Sequence, residues 1–479
     1  MVNAIFLSGA EALVLLQGLL ATALLGPAAI GLYGIVTTTA MTIVQLRRVG
    51  IDEAFVQQAA DDEEAEFQRA FTVELAIGAL GSLLIAAIAP IVAVAYDDTR
   101  LLALTLAVAY LPLAFALQAP QWAAFKAMDY LRLRVLQAIV PLGTVAVTVP
   151  LLLAGVGVWA LVIGPFVGNT AAVLAAWRAS PYRLALQPDR AAVARYLRFS
   201  WPIFVTSLAA LLVAQGQIAV FGLSDGLVAA GWITLATTLT RYADRADQIL
   251  ATTIYPAIVR VRDRAAVQEE LFTKSNRLTL MWAFPFGAGL ALFAADLVDF
   301  VLGDRWHGAV VLIAGLALAG AVQQLGYNWF SFFRARGASW PQAVESAAFA
   351  GSFLALAVPG ALLAGPWGFL AGRMACALCV LAVRRVYVRR LLPGARMGAL
   401  ALRAAAPVVL ATIPVLAVRL ALWGHDRAPA QAVAELVLWL AGLAATTAWL
   451  ERGLLAELRA YLTRRAVVAA TAEPAPVGG

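Results

Sequence analysis

LGPAAIGLYGIVTTTAMTIVQLRRVGIDEAFVQQ, residues 25–58, opens on a Leu-Gly-Pro turn and continues as an apolar run punctuated by Gly31 and Gly34. It closes on Arg47, Arg48, Asp52 and Glu53 around Gly50. The apolar run reads as a membrane-spanning helix, which needs about 20 mostly apolar residues. Charge carried into one end of such a span is costly and ordinarily faces a protein interior or a water-filled cavity. The same order returns about 200 residues later, in FGLSDGLVAAGWITLATTLTRYADRADQILATTIYPAIVR, residues 221–260. There a short turn precedes Gly231-Trp232, an apolar run with threonines follows, and Arg241, Asp244, Arg245 and Asp247 close it. Two copies of one membrane-embedded unit imply two pseudo-equivalent bundles with a site between them, a plan used by many transporters.

Composition bounds the class. Of 479 residues, 62% are hydrophobic and 13% charged, whereas soluble domains carry about 25% charged residues. The chain is therefore expected to be an all-α polytopic membrane protein. The net charge of +7 would suggest nucleic acid in a soluble protein. Here the basic residues cluster in loops, as the positive-inside rule requires, so no nucleic-acid partner is expected. Cys376 and Cys379 sit in one apolar run with no second pair and no nearby His, which reads as packing rather than a metal or redox site. No basic n-region marks a cleavable signal peptide at the N-terminus.

About fourteen spans can be placed. The first six lie near 3–24, 29–50, 69–95, 101–120, 134–154 and 157–177. Six more lie near 200–222, 228–252, 278–302, 308–332, 342–363 and 367–386, and two near 401–423 and 430–450. Odd-numbered connections such as LGP (25–27), LSDG (223–226), LGDRWHG (302–308) and WGHDRAP (423–429) are short and poor in basic residues. Even-numbered connections hold the arginines, which predicts cytoplasmic termini. One even connection is acidic instead, with Asp61, Asp62, Glu63, Glu64 and Glu66, but acids weigh little in the rule. The domain organisation expected is an N-terminal six-helix lobe (1–178), a cytoplasmic amphipathic linker (179–199), a C-terminal six-helix lobe (200–390), two extra helices (391–450) and a cytoplasmic tail (451–479). The linker interleaves Tyr182, Leu184 and Leu186 with arginines and reads as an interfacial helix or a plain connector.

These motifs resemble the polysaccharide or oligosaccharide flippases, in particular the Wzx-type and colanic-acid-exporter-like branch of the multidrug/oligosaccharidyl-lipid/polysaccharide exporter superfamily. The matching stretches are LGPAAIGLYGI (25–35), RVGIDEAFVQ (48–57), SDGLVAAGWITLA (224–236), TIYPAIVRVRD (253–263) and VLGDRWHGAVVLIAGLA (301–317), in the family's order. The resemblance implies two six-helix lobes in a V with two further helices outside. It implies a protein of the bacterial cytoplasmic membrane that flips undecaprenyl-pyrophosphate-linked oligosaccharide units outward by alternating access. Its partners would be the polyprenyl pyrophosphate substrate, membrane lipids, and a polymerase or glycosyltransferases of the same pathway. Three departures stand out. No basic residues precede the first span, Gln215 and Gln217 stand where the seventh span often carries an Asn/Asp cluster, and the first cytoplasmic loop is acidic.

The residues themselves say what chemistry is feasible. A pyrophosphate crossing an apolar slab needs fixed cations and donors in place of water, and the planar fork of arginine pairs two phosphate oxygens at once. On an ideal second helix Thr38, Gln45, Arg48 and Asp52 share a face; on an ideal eighth helix Arg241, Asp244, Arg245 and Gln248 do. Either set could capture a headgroup, or form internal ion pairs and snorkel. Arg373 in the twelfth span could meet the headgroup on exit or reach the interface. Glu11 and Glu74 could carry a driving proton or sodium ion, or be hydrogen-bonded structural acids. Gln217 could reach sugar hydroxyls or pack. Asp304-Arg305-Trp306-His307 reads as a helix-end turn with an interfacial aromatic, or as a substrate contact.

No catalytic motif is present: the only histidines, His307 and His425, sit in short loops, and there is no H-E-x-x-H, G-x-S-x-G or P-loop. No enzyme activity and no cofactor are expected. A cation-coupled multidrug or metabolite antiporter of the same superfamily is the alternative, but it favours acidic cavity residues where this chain places arginines. A membrane polymerase or ligase would need larger outer loops than these. For topology, a membrane-impermeant thiol reagent should label Asp225→Cys and Asp304→Cys from outside in a cysteine-free background, and should not label Asp189→Cys. The opposite pattern inverts the assignment.

Overall fold

The computed structural model describes residues 2–47, 51–52, 55, 62–127, 129–189, 193, 212–213, 215–244, 254–255, 258–261, 263–338, 340–424, 427–457 and 459–460. All regular structure among them is helical. Among the described residues eight segments are long and apolar enough to cross a membrane, or nine when the bent pair Ala265–Leu292 and Ala294–Leu302 is taken as one span. One of the eight, Trp340–Leu391, breaks at Ala364 and Gly365, where Gly365 adopts φ +55°. Its two arms are the expected spans 342–363 and 367–386.

The chain divides into two compact units. The first comprises Met1–Thr240, Leu297–Leu316 and Gln342–Val380. Its helices include α1 (Val2–Leu24), α2 (Pro27–Arg47), α3 (Glu63–Ala95), α4 (Arg100–Val108), α5 (Leu111–Leu117), α6 (Gln121–Lys126), α7 (Tyr130–Leu153), α8 (Ala160–Arg178) and α9 (Gly226–Thr240). The expected span 101–120 is present as Arg100–Leu117, with a local turn at Ala109–Tyr110 just before Pro112, which lacks the N–H an unbroken helix would use.

Small residues set the packing. Gly164 and Gly168 of α8 lie so close to Thr148 and Thr144 of α7 that a Cβ would overlap them, and Gly78 of α3 meets Ala116 and the Pro112 carbonyl in the same way. Lipid supplies no hydrophobic drive between helices, so close backbone approach through small residues does the work. Trp306 corrects the expectation of an interfacial aromatic. It is fully buried, and its indole N–H donates to the Thr22 carbonyl at the end of α1 at 3.1 Å.

The acidic connection before α3 has a structural role. Asp62 caps α3 by accepting from the Ala65 N–H at 3.0 Å, and Glu63, Glu64 and Glu66 fill the positive first turn. Residues 181–189 run non-helically along this end of α3 and form no interfacial helix there. The Tyr182 hydroxyl donates to Glu63 at 2.9 Å and the Arg183 N–H to Glu64 at 3.0 Å. Gln187 donates through its backbone N–H to Thr72 and through its amide to Gln68, at 2.8 and 2.7 Å. Burial, then the Glu63 carboxylate, pushes the Tyr182 phenol up to about 12, so it stays a donor through the physiological range. Phe55, Phe67 and Trp122 complete the aromatic cluster under Tyr182.

The second unit comprises Arg241–Asp296, Ala317–Pro341 and Leu381–Gly479. The helices with residues in it are α10 (Ala265–Leu292), α11 (Ala309–Gln323, divided between the units), α12 (Trp329–Arg334), the end of the Val358–Leu391 helix, α13 (Met397–Ala421) and α14 (Pro429–Leu450). The expected span 308–332 is interrupted after Gln323 at a turn holding Gly326 at φ +72°. Arg384 occupies that break, donating to the carbonyls of Gln323 and Leu325 at 2.5 and 2.9 Å. Phe272, Phe332, Trp329 and Val388 form the core around it.

Gly31→Ala and Gly231→Ala should each destabilise the protein by about 1–3 kcal/mol through overpacking against neighbouring backbone. The double variant should cost less than the sum, because both residues serve one crossing. Gly18→Ala, whose Cβ meets nothing within 4 Å, should be neutral or slightly stabilising. Thermal unfolding midpoints in one detergent give the comparison.

Candidate functional site at the paired repeat helices

The two copies of the repeat pack against each other. A Cβ on Gly31 of α2 would overlap the Leu227 carbonyl oxygen of α9, and a Cβ on Gly231 of α9 would overlap the Pro27 carbonyl oxygen of α2. Pro27 and Leu227, like Gly31 and Gly231, are equivalent positions of the repeat. The contact is therefore reciprocal, as across a two-fold axis. Gly34 meets Thr234, its own repeat equivalent, so the axis passes near this pair.

Beyond the crossing both helices become threonine-rich, and the hydroxyls bond back into their own helices. Thr37, Thr39 and Thr42 donate to the carbonyls of Tyr33, Ile35 and Thr38 at 2.7–3.0 Å. Thr234 and Thr240 donate to Ala230 and Ala236 at 2.6 and 2.9 Å. A hydroxyl satisfied in this way can line an apolar environment without a partner on another helix.

The expected charged face follows at the far end. Helix α9 ends at Thr240 and tightens into a 3-10 turn over Arg241–Asp244. The register of an unbroken α-helix therefore does not continue past Thr240, since a 3-10 turn advances about 120° per residue. Arg241 is exposed there. Arg48, Arg245 and Gln248 lie outside the described residues, as do the side chains of Asp244 and Glu11. Glu74 is buried in α3 and Gln217 is half-buried.

Arg373 is the candidate with the clearest geometry. Its guanidinium lies 5.1 Å from the centroid of the Phe349 ring, a cation–π contact across the two arms of the Trp340–Leu391 hairpin. Its Nε and Nη1 are buried and have no hydrogen-bond partner among the described residues. Gly360 and Gly368 hold these arms at backbone contact. A cation so placed is suited to an anion that brings its own oxygens.

Two charged clusters escaped the sequence reading, and both are in the second unit. Asp296 and Glu435 share Arg419 and Arg427: Arg419 bonds them at 3.0 and 2.9 Å, and Arg427 bonds Glu435 at 2.6 Å and also reaches Asp296. The Asp296 carboxylate, countered in part by burial, holds the Arg427 guanidinium above its ordinary value. Glu451, 3% exposed, sits between Arg277 and Arg403. Asp296, Glu435 and Glu451 inside or at the edge of apolar runs were the available signal, but nothing local names their partners. A third, neutral network joins Ser275, Asn276 and Asn328, with bonds of 2.6–2.9 Å. Among the described residues no group of three His, Cys, Asp or Glu side chains is arranged to hold a metal.

Comparison with known proteins accounts for this arrangement. Residues 20–311, more than half the chain, match the family described as "Polysaccharide biosynthesis protein". No curated protein matches in the sequence search. Among solved structures, the lipid II flippase MurJ in an inward closed conformation is similar with a TM-score of 0.73 at 10% identity, covering 94% of this chain and 100% of that one. An inward-facing multidrug resistance MATE family transporter of the MOP superfamily is similar with a TM-score of 0.65 at 14% identity, covering 80% and 95%. An outward-facing one gives 0.52 at 15% identity, covering 80% and 93%. The fold is thus that of the MOP-superfamily transporters, and with the match over residues 20–311 the chain belongs to the polysaccharide biosynthesis protein family.

Proposed function

We propose that the protein flips a lipid-linked oligosaccharide, carried on a polyprenyl pyrophosphate, from the cytoplasmic to the outer leaflet of a bacterial cytoplasmic membrane. The observation that carries this reading is Arg373, a guanidinium buried on an apolar hairpin with an aromatic ring against it and two nitrogens unpartnered among the described residues. It suits an anionic cargo and repels a cationic drug. Membership of the polysaccharide biosynthesis family supports it. The reading takes the two six-helix lobes as residues 1–178 and 200–390. It assigns headgroup contact to Arg48, Arg241, Asp244, Arg245, Gln248 and Arg373, and sugar contact to Gln217. A polymerase or glycosyltransferases of the same pathway would supply and consume the substrate.

The fold shared with multidrug transporters favours a second reading, a cation-coupled antiporter using Glu11 or Glu74. The two differ in drive. An outward-moving anion gains about 2.3 kcal/mol per charge per 100 mV at a potential negative inside, and arginines that stay behind leave that gain intact.

In proteoliposomes with a fluorescent polyprenyl-pyrophosphate sugar, Arg241→Ala and Arg373→Ala should each slow flipping about tenfold at unchanged protein level, and the lysine variants should recover part of the rate. Losses that follow protein abundance instead make these arginines structural. A valinomycin-set potential should accelerate flipping, with Glu11→Gln and Glu74→Gln each near wild type. Indifference to potential together with collapse in either glutamine variant selects the antiporter.

A further inference from the structure

A shallow crevice lies in the second unit between α10, α13 and α14. Its rim is ionic and its floor apolar. At the rim Arg277 bonds Glu451 through Nε at 3.0 Å and through Nη2, while Arg403 bonds the other carboxylate oxygen at 2.9 Å and the Leu450 carbonyl at 3.3 Å. Met281, Pro285 and Ala404 line the floor.

Sequence places this rim at the edge of the apolar slab. Arg277 stands where α10 passes from polar AAVQEELFTKSNR to apolar LTLMWAFPF; Arg403 is in the second turn of α13; Glu451 is the C-cap of α14. By the distribution of arginines this is the cytoplasmic edge. Two guanidiniums meet one carboxylate, so the rim keeps one positive charge. Lys274, one turn away, is engaged by Glu270 and Glu457 at 2.7 and 2.5 Å, so those acids are drawn off from the rim arginines. The Glu451 side chain is 4% exposed and the Arg403 side chain 52%. The reachable group is thus a cation already oriented by a buried carboxylate and by a helix-terminal carbonyl, with an apolar cleft running from it toward the membrane interior.

We propose that this crevice binds an anionic glycerophospholipid of the inner leaflet, its phosphodiester on Arg403 and Arg277 and an acyl chain along Met281, Pro285 and Ala404. Basic pockets between transmembrane helices on the cytoplasmic side take such headgroups, and arginine is the side chain suited to phosphate. The site would hold the ends of α13 and α14 to the leaflet. It does not depend on what the protein transports.

The test uses full-length protein, delipidated and titrated with short-chain phosphatidylglycerol under native mass spectrometry. Wild type should show one saturable site, at least tenfold tighter than for phosphatidylcholine. Arg403→Gln should lose about tenfold and Arg403→Lys less. A diazirine-bearing phosphatidylglycerol on wild-type protein should cross-link within 277–285 and 400–407, which keeps the proposal testable if Arg403→Gln unfolds. Equal binding of both lipids, cross-links elsewhere, or an unchanged affinity in folded Arg403→Gln would overturn it. So would displacement of the label by polyprenyl phosphate but not by phosphatidylglycerol, which would assign the crevice to the transported lipid.

Discussion

Backbone contact between α2 and α9 at Gly31 and Gly231 is the constraint on which the rest of the first unit depends. Two helices in lipid gain nothing from hydrophobic exclusion, so they pair only where their surfaces come close enough for dispersion and weak polar contacts to add up. A side chain at either glycine would force the helices apart. Because the repeat puts the same small residue at equivalent places in both copies, one contact appears twice, and an approximate two-fold relation follows from sequence duplication alone. The threonines beyond it keep their hydroxyls within their own helices. These threonines therefore need no partner on the other helix.

The C-terminal helices follow a different rule. They have no counterpart in the repeat, and α13 and α14 are joined to α10 both by an apolar cluster, in which Val408, Ala411, Val415 and Trp439 pack with Phe284 and Leu292, and by charge. Asp296 and Glu435 share two arginines, and Glu451 is held between two more. A buried ion pair adds little net stability once desolvation is counted, but removal of one partner leaves a buried charge that costs about 3–5 kcal/mol. Such networks fix which helices meet and in what register. Arg373 stands apart from them: it is also buried in the apolar region, yet its guanidinium lies against the Phe349 ring. The charges of α13 and α14 meet opposite charges, whereas Nε and Nη1 of Arg373 meet no hydrogen-bond partner among the described residues.

Much of the fold was legible in the sequence. Apolar runs of spanning length force helices, because a bilayer offers backbone groups no partners. Turns at 25–27 and at Ala364–Gly365 are marked by glycine and proline. The 200-residue echo located the pair α2 and α9 before any contact was known. The candidate site was legible in part: Arg373 was visible as a charge inside a span, but not the ring beside it. The turn at Ala109 was missed although Pro112 marks it, and the interruption after Gln323 was missed because it is settled by what fills the break, as Arg384 does through the carbonyls of Gln323 and Leu325.

By itself, then, the sequence determined the class of protein, the position of most helices, the internal repeat and the family, since all four rest on local hydropathy, turn chemistry and spacing along the chain. Only the tertiary structure decided which charge meets which. Trp306 is read from its flanks as interfacial, yet it is buried because the end of α1 offers the Thr22 carbonyl. The acidic run at 62–66 looks anomalous until Tyr182 and Arg183, more than a hundred residues later, are seen bonded to Glu63 and Glu64. Asp296 and Arg427 are 131 residues apart. Hydropathy is a property of each residue and can be summed along the chain, whereas an ion pair belongs to two residues that only packing brings together.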